Sequence, residues 1–332
     1  MKLLQQVETV GRRLRLADST HQVYGAWIEQ YLRFVADDRG RWVHRAKVGT
    51  RDVEAFLNDL VVRRRLSASA QNQCLNALVF LYRQVLQDVM PRDHLGKLEF
   101  LRSTRPKRLP TVLSAQEVHR VIEAVPIDHK FRLMLELMYG TGMRVSEVCT
   151  LRIRDIDFGR AQIIIRAAKG DKDRMVMLPV SLRGRLADHV QAVRRQWDTD
   201  VARNGGFAPV PDAVAHRRPS AGREWPFQFC FPSTVLRRDE RGRGTRWHTD
   251  PSAFDRFIVL AARRAGIAKR VTCHAFRHSF ATHVLESGYD IRQVQTLLGH
   301  ASLKTTQIYT HVMNKPSVAV TSPLDRLAVG AA

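Results

Sequence analysis

Six side chains in this sequence have the types and spacing to cut a phosphodiester without a metal: Arg144, Lys169, His274, Arg277, His300 and Tyr309. They sit in short, punctuated segments. Gly140-Thr-Gly142-Met-Arg144-Val-Ser-Glu147 comes first, then Lys169-Gly-Asp-Lys172. His274-Ala-Phe-Arg277-His278-Ser follows, then Leu297-Leu-Gly-His300, with Tyr309 nine residues further on. A phenol of pKa ~10 becomes a usable nucleophile beside a base and cations. Two arginines can clamp the non-bridging oxygens as charge gathers in a five-coordinate transition state. A lysine can protonate the leaving 5′-oxygen, and histidines can place oxygens and move protons. An aryl phosphate keeps the bond energy, so a DNA 5′-hydroxyl can reverse the cut without ATP.

Each residue alone has a plainer reading. Arg144 is a surface arginine at a helix start, Lys169 belongs to a polar turn, and Tyr309 is a half-buried aromatic. His274 and His278, at i and i+4, could be a metal pair, but neither an HExxH pattern nor a suitably spaced third ligand accompanies them. The order and spacing of the whole set carry the chemical reading, and no metal or cofactor is expected.

The elements that must hold these residues are mostly helical. Val23, Trp27, Tyr31 and Phe34 fall on one helix face, as do Val53, Phe56, Leu57 and Leu60, and then Leu75, Leu78, Tyr82 and Val85. Residues 1–102 therefore read as a small helical bundle. Two prolines bracket a basic run in 103–113, which reads as a linker; Arg105, Lys107 and Arg108 could lie along a DNA backbone, or the segment could simply be solvated. Residues 114–332 form the second domain. Ser114 with Glu117 makes a capping box, and a Leu- and Met-rich helix covers about 129–139 up to Gly140-Thr-Gly142. Ile163–Ile165 and Met175–Leu178 read as strands joined by the Lys169 turn. Helices are expected near 181–197, 251–265, 275–287 and 290–298. Residues 203–247 stand apart, with five of the chain's 13 prolines and six Phe or Trp residues. So many aromatics exclude disordered filler; an insertion at about 203–232 with a small core or stacking surface is the reading.

The chain has 332 residues, a length that suits two domains. Its formal charge is 54 − 32 = +22. A protein this basic meets a polyanion: nucleic acid first, a membrane surface second, since the basic residues are not gathered on one amphipathic helix. About 18 consecutive apolar residues occur nowhere, and the N-terminus lacks the apolar core of a signal peptide. The four cysteines (Cys74, Cys149, Cys230, Cys273) are scattered and read as reduced thiols of a cytoplasmic protein.

Tyr139-Gly-Thr-Gly-Met-Arg144, Lys169-Gly-Asp-Lys, His274-Ala-Phe-Arg-His-Ser-Phe-Ala-Thr-His283 and the Leu297 to Tyr309 segment resemble the tyrosine recombinases over essentially the whole chain. The resemblance implies a mainly α fold with a small antiparallel β-sheet in the catalytic domain, preceded by a helical, SAM-like core-binding domain. It implies Arg144 and Arg277 as phosphate clamp, Lys169 as general acid, His274 and His300 completing the pocket, Tyr309 as nucleophile, and Glu147 supporting the site. It further implies protomers closing as C-shaped clamps on inverted sites, four to a synapse.

A narrower resemblance is to the integron integrases. It rests on Gln71-Asn72-Gln73 with Leu75 to Tyr82, on Tyr289 to Gln295, on Ile308 to His311, and above all on Val210-Pro-Asp-Ala-Val with Arg223-Glu-Trp225-Pro-Phe-Gln-Phe-Cys-Phe-Pro232. It implies that the insertion helps to recognise folded single-stranded cassette sites, where extrahelical bases mark the binding position, as well as duplex sites. Stacking of unpaired bases on aromatic rings is a sound way to do so. Lys172, Trp225, Phe227, Pro232 and His248 are the further DNA-binding candidates. Phe227, Trp247, Ala70 and Phe276 depart from the family's usual tryptophan, histidine, threonine and leucine. The tail 313–332 carries Val318, Val320, Leu324, Leu327 and Val329, which suit docking on a neighbour or folding back in cis.

Three rivals stay open: a Xer- or phage-type recombinase on duplex sites, which lacks a use for the insertion; a catalytically inactive DNA-binding relative; and a metal-dependent nuclease or transposase, for which a carboxylate triad is wanting.

Overall fold

The computed structural model describes residues 3–14, 16–36, 49–86, 97–104, 110–168, 172–240, 242–300 and 302–309. The chain divides into two compact units, 1–108 and 109–332. Arg105, Lys107, Arg108, Lys169, the side chain of Lys172 and the tail 313–332 lie outside the described residues.

The first unit packs α1 (Leu3–Arg13), α2 (Asp18–Phe34), α3 (Thr50–Val62) and α4 (Ala68–Phe80), which runs on into a π-helical turn, Leu81–Val85. Val53, Phe56, Leu57 and Leu60 bury together, as the i, i+3, i+4, i+7 spacing requires. The buried stripe of α2 differs from the expected one. It runs through Ile28 and Tyr31, while Phe34 at the helix end stays 37% exposed and only flanks the Phe56 ring. Tyr31 keeps its hydroxyl satisfied by sharing a hydrogen bond with Tyr82, Oη to Oη 2.7 Å.

Gln71, Asn72 and Gln73 each have a packing task. The buried Gln71 amide donates to the carbonyl of Leu101 (2.6 Å) and accepts from the Ser103 N–H (3.0 Å). Asn72 accepts from Arg102 (3.0 Å) and Gln73 from the Trp27 indole (3.1 Å). Together they pin the irregular segment 97–104 and α2 to α4.

The second unit is built on α5 (Ala115–Glu123), α6 (Lys130–Thr141), α7 (Val145–Cys149), α8 (Val180–Ala202), α9 (Asp212–Arg217), α10 (Pro251–Arg264), α11 (Cys273–Glu286), α12 (Ile291–Leu298) and α13 (Leu303–Gln307). Its strands are β1 (Ile156–Asp157), β2 (Gln162–Ala168), β3 (Lys172–Met177), β4 (Pro232–Arg238) and β5 (Gly244–His248). The Ser114–Glu117 box forms reciprocally: the Glu117 N–H donates to Ser114 Oγ and the Ser114 N–H to Glu117 Oε2. Leu133, Met134, Leu137 and Met138 of α6 bury in one core with Ile163, Ile165 and Val176 of the sheet. β1, β2 and β3 are antiparallel in that order, with Ile163 opposite Val176. Helix α8 is longer than the apolar periodicity suggests and reaches Ala202.

A second sheet, the β4–β5 hairpin, was not legible in the sequence. Its residues, Pro-Ser-Thr-Val-Leu-Arg-Arg and Gly-Thr-Arg-Trp-His, lack the apolar alternation of a half-buried strand. Backbone pairing and arginine side chains hold it instead. Arg246 forms a bidentate pair with Asp200 of α8 (2.6 and 2.9 Å) and also donates to the carbonyls of Ser233 and Thr234. Among the described residues, no helix is long and apolar enough to cross a membrane.

Candidate active site

Gly142 is where the site begins. It ends α6 in the left-handed region (φ 68°), which a residue without Cβ tolerates. A Cβ there would meet the Phe280 ring at 2.4 Å, so the α6 terminus can sit against α11 only with glycine at this position. The turn delivers Arg144 to the start of α7. Arg144 donates its backbone N–H to Glu147 Oε2 (2.7 Å) and a guanidinium N–H to Glu147 Oε1 (2.8 Å). Its side chain stays 24% exposed, so part of the guanidinium faces outward.

Arg277 projects from α11 and is buried. It donates to the carbonyl of Gly142 (2.5 Å) and to that of Leu298 (2.6 Å), and it meets His300 Nε2 at 3.1 Å. One guanidinium thus ties the α6–α7 turn to the end of α12. Burial, then the neighbouring Arg144 charge, pushes its pKa down to about 10, still well above neutral pH. His300 follows Gly299, a second left-handed glycine (φ 62°), and shares its Nδ1 with Thr306 Oγ1 at 2.9 Å. Burial, then Arg277 and Arg144, pushes His300 down to about 4, so its ring is neutral.

Tyr309 is 1% exposed. Its ring stacks near His300 (centroids 6.2 Å apart, planes 15° apart), and its hydroxyl lies 3.1 Å from His278 Nδ1. Burial raises the phenol pKa, and Arg277 and Arg144 pull against that rise. His274, expected to complete the pocket, is exposed one turn earlier on α11, its ring 6.4 Å from that of His278. The imidazole on the phenol is therefore His278. Among the described residues, no three His, Cys, Asp or Glu side chains cluster as a metal site.

Sequence reasoning missed Arg174. On β3 it grips Glu147 with both terminal nitrogens (2.8 and 2.6 Å) and donates Nε–H to the carbonyl of Leu297 (2.9 Å). Burial would raise the Glu147 pKa, but Arg174 first and Arg144 next hold it at about 2. A strand pattern could have exposed this residue. Met175 and Met177 point outward and are more than half exposed, which turns Arg174 and Val176 inward. An inward arginine needs a buried carboxylate.

Arg144, Arg277, His278, His300 and Tyr309 therefore converge from four segments. Two cations, two neutral imidazoles and a buried phenol make a site fitted to a phosphate. The phage integrase family model matches residues 111–315, and the model of the phage integrase N-terminal SAM-like domain matches residues 3–92. A protein named integrase/recombinase from Escherichia coli is 40% identical over 98% of this chain and 94% of its own length, and one of the same name from Pseudomonas aeruginosa matches equally. The chain belongs to the phage integrase family. It is a tyrosine site-specific recombinase. A lambda integrase tetramer bound to a Holliday junction shares the fold, with TM-score 0.59 at 16% identity over 92% of this chain and 76% of that one.

Within this recombinase, the other expected DNA-binding side chains have divided fates. Phe227 is buried at 7% exposure, with the Arg154 guanidinium 4.2 Å from its ring centre. Trp225 is half-buried against Trp197, with Arg194 over its ring. Pro232 opens β4 opposite His248. The rings expected to stack on bases thus pack the insertion here, because their apolar area is worth more against Trp197 and the core than in water. Trp247 is the exposed ring, at 44%. Trp247 and His248 line a cleft of about 580 Å³ with Arg144, Arg152, Arg154 and Arg166.

Proposed function

We propose that this recombinase integrates and excises mobile gene cassettes at integron attachment sites, cutting DNA through Tyr309. The observation that carries the chemistry is the Tyr309 hydroxyl held against an imidazole, with Arg277 and Arg144 close enough to act on its charge. Arg144 and Arg277 clamp the scissile phosphate. Tyr309 attacks phosphorus to form a 3′-phosphotyrosyl bond, and Lys169, on the connection between β2 and β3, protonates the departing 5′-oxygen. The freed 5′-hydroxyl of a partner strand reverses the step. Strand exchange needs four protomers, each binding through a core-binding domain (1–102) and a catalytic domain (114–332), with the basic linker at 103–113 following the backbone.

The cassette reading is supported by the insertion. Between α8 and α10 the chain buries Phe227, Phe229 and Phe231, and it presents Trp247 and His248 along a cleft that Arg144, Arg152, Arg154 and Arg166 of the preceding elements also line. A ring and cations beside the clamp suit an unpaired base next to a bound phosphate.

The test is covalent adduct formation in excess chelator on two labelled substrates, a folded single-stranded cassette site and the same sequence as a duplex. Adduct on the folded strand, and far less on the duplex, is the expected result. Adduct on the duplex alone keeps the recombinase and removes the cassette reading. The Tyr309→Phe variant binds both substrates and forms no adduct.

A further inference from the structure

We propose that Arg174 is a positioning residue: it registers the strand that follows the general acid against the two arginines that hold the phosphate. The proposal rests on the reading of Lys169 as that acid and goes further by naming the side chain that aligns it with the clamp.

The carrying observation is a shared anchor. Helix α12 ends at Leu298, and the carbonyls of a helix's last turn have no partner within the helix. Three consecutive carbonyls at this end are taken by three arginines from three different elements. Arg174 of β3 donates to Leu297 (2.9 Å), Arg277 of α11 to Leu298 (2.6 Å), and Arg144, ahead of α7, to Gly299 (3.5 Å). The negative end of the helix dipole suits the three cations. Gly299 makes room for them, since a Cβ there would meet Arg174 Cδ at 2.9 Å. The strand and both halves of the clamp are thus set from one stretch of backbone. Arg174 adds a second tie by gripping both oxygens of Glu147, which also accepts from Arg144.

Strand β3 depends on this anchor more than the clamp does. It is the outer strand of the three-stranded sheet, and Met175 and Met177 turn away from the core. Its pairing with β2 is regular from Met177 opposite Gln162 to Arg174 opposite Ile165, and the register shifts before Lys172 opposite Ala168. Arg174 is therefore the residue at which the regular ladder stops, and Lys169 lies five positions before it in the chain. Glu147, by contrast, holds Arg144 independently of Arg174, by accepting from its backbone N–H and its guanidinium. Loss of Arg174 falls first on the strand. An acid that must meet a departing oxygen loses rate steeply with an error of about an ångström.

The type of residue fits the task. The planar fork of an arginine reaches two carboxylate oxygens and a carbonyl at once, which the single ammonium of a lysine does not. The tie is also permanent over the working range of pH. Burial would raise the Glu147 pKa, but Arg174 and then Arg144 hold it at about 2.

The test replaces the 5′-oxygen at the cut with a bridging sulfur. A thiolate leaves without a proton, so the general acid has no task on this substrate, while the clamp is still required. The measurement is the single-turnover rate of adduct formation by the whole chain, at saturating DNA, on oxygen- and sulfur-bridged duplex attachment sites. Arg174→Ala is expected to lose about 10-fold on oxygen and to stay within about twofold of the wild type on sulfur. Lys169→Ala is the reference, with a loss of about 100-fold or more on oxygen that sulfur restores. Arg174→Lys keeps a charge beside Glu147 and falls between the wild type and Arg174→Ala on oxygen. Where Arg174→Ala does not fold, the oxygen-to-sulfur contrast of Arg174→Lys decides. Equal losses on the two substrates overturn the proposal, because they place Arg174 with the clamp or with general packing. So does a wild-type rate on oxygen, or a defect confined to DNA affinity. Lys169→Ala that gains nothing from sulfur overturns the acid reading and this proposal with it. Lys169→Ala restored by sulfur, beside an Arg174→Ala that is not, overturns the proposal alone.

Discussion

The cluster around Tyr309 and the insertion between α8 and α10 are both stitched by arginines to backbone carbonyls, yet they use the stitching differently. In the cluster, Arg277 ties Gly142 to Leu298, and Arg144 beside it is left part-exposed. Across from the insertion, Arg152, just after α7, donates to the carbonyls of Phe227 and Pro209, and its guanidinium lies 4.4 Å from the Phe229 ring centre. The buried Gln228 amide does likewise, donating to the carbonyls of Gly206, Gly222 and Glu224. Arg152 and Gln228 hold a segment that has little apolar alternation to fold it. A charge of +22 is thus a poor count of DNA contacts: some of it replaces a hydrophobic core.

The sharpest way to break this comparison is to remove one arginine that stitches each region. Arg277→Ala leaves two buried carbonyls unpaired and takes a cation from the phosphate, so adduct formation falls by about 10³-fold. Arg152→Ala leaves carbonyls unpaired as well and costs about 3 kcal/mol of stability. It should spare duplex cleavage at low temperature and impair the folded-strand substrate. Equal loss of duplex cleavage in both variants, at temperatures where both stay folded, would show that the two regions are not separable.

The left-handed glycines sharpen it further. Gly142→Ala drives a Cβ into Phe280 at 2.4 Å and costs about 3 kcal/mol by denaturant unfolding. Gly242→Ala in the β4–β5 turn has the same sign of φ (72°) but meets open space, so it costs about 1–2 kcal/mol. Similar values for the two would mean that the α6 terminus has room for a Cβ beside Phe280.

Arg174 tests whether the cluster depends on support it does not show to solvent. Arg174→Ala leaves Glu147 paired with Arg144 alone, and the adduct rate falls about 10-fold with a lower Tm; Arg174→Lys recovers part of both. An unchanged rate would remove Arg174 from the positioning of Arg144.

The smallest effect expected is in pH. His278 and His300 have folded pKa values lowered to about 4 from 6.5, so the unfolded chain binds their protons first as pH falls. Stability is lost between pH 6.5 and about 4, and the half-buried His189 adds in the same direction. Glu147 acts lower, since its carboxylate is held at about 2 against 4.5, and its contribution disappears as pH drops through that interval. The Tm measured across pH 7 to 4 should fall, and less so for His278→Asn. A Tm that rises toward pH 5 would contradict neutral histidines in the cluster.

Much of the site was legible because its residues sit in short segments whose spacing reflects local geometry. Gly140-Thr-Gly142-Met-Arg144 is a helix stop followed by a helix start, and Glu147 is three residues along the next helix. Arg277 and His278 share one helix turn, and the Ser114–Glu117 box and the apolar stripe of α3 follow from the 3.6-residue period. These are properties of nearby positions, and sequence alone determined them. Which imidazole meets Tyr309 depends on how α11 is rotated against a segment 31 residues away, and no local period encodes that angle. Arg174 reaches Glu147 from 27 residues away, and only the pairing of β3 with β2 says which way it points. The β4–β5 hairpin is held by Asp200 of α8 and by carbonyl acceptors, which every residue has, so its sequence marks no face. Trp225 and Phe227 have the composition of a stacking surface, and only packing could turn them inward and leave Trp247 exposed. Local periodicity fixes helices, caps and motif spacing because it acts within a few residues. Partners that meet across the chain are chosen by burial and by the need to satisfy every buried polar group, and those terms exist only once the tertiary structure has formed.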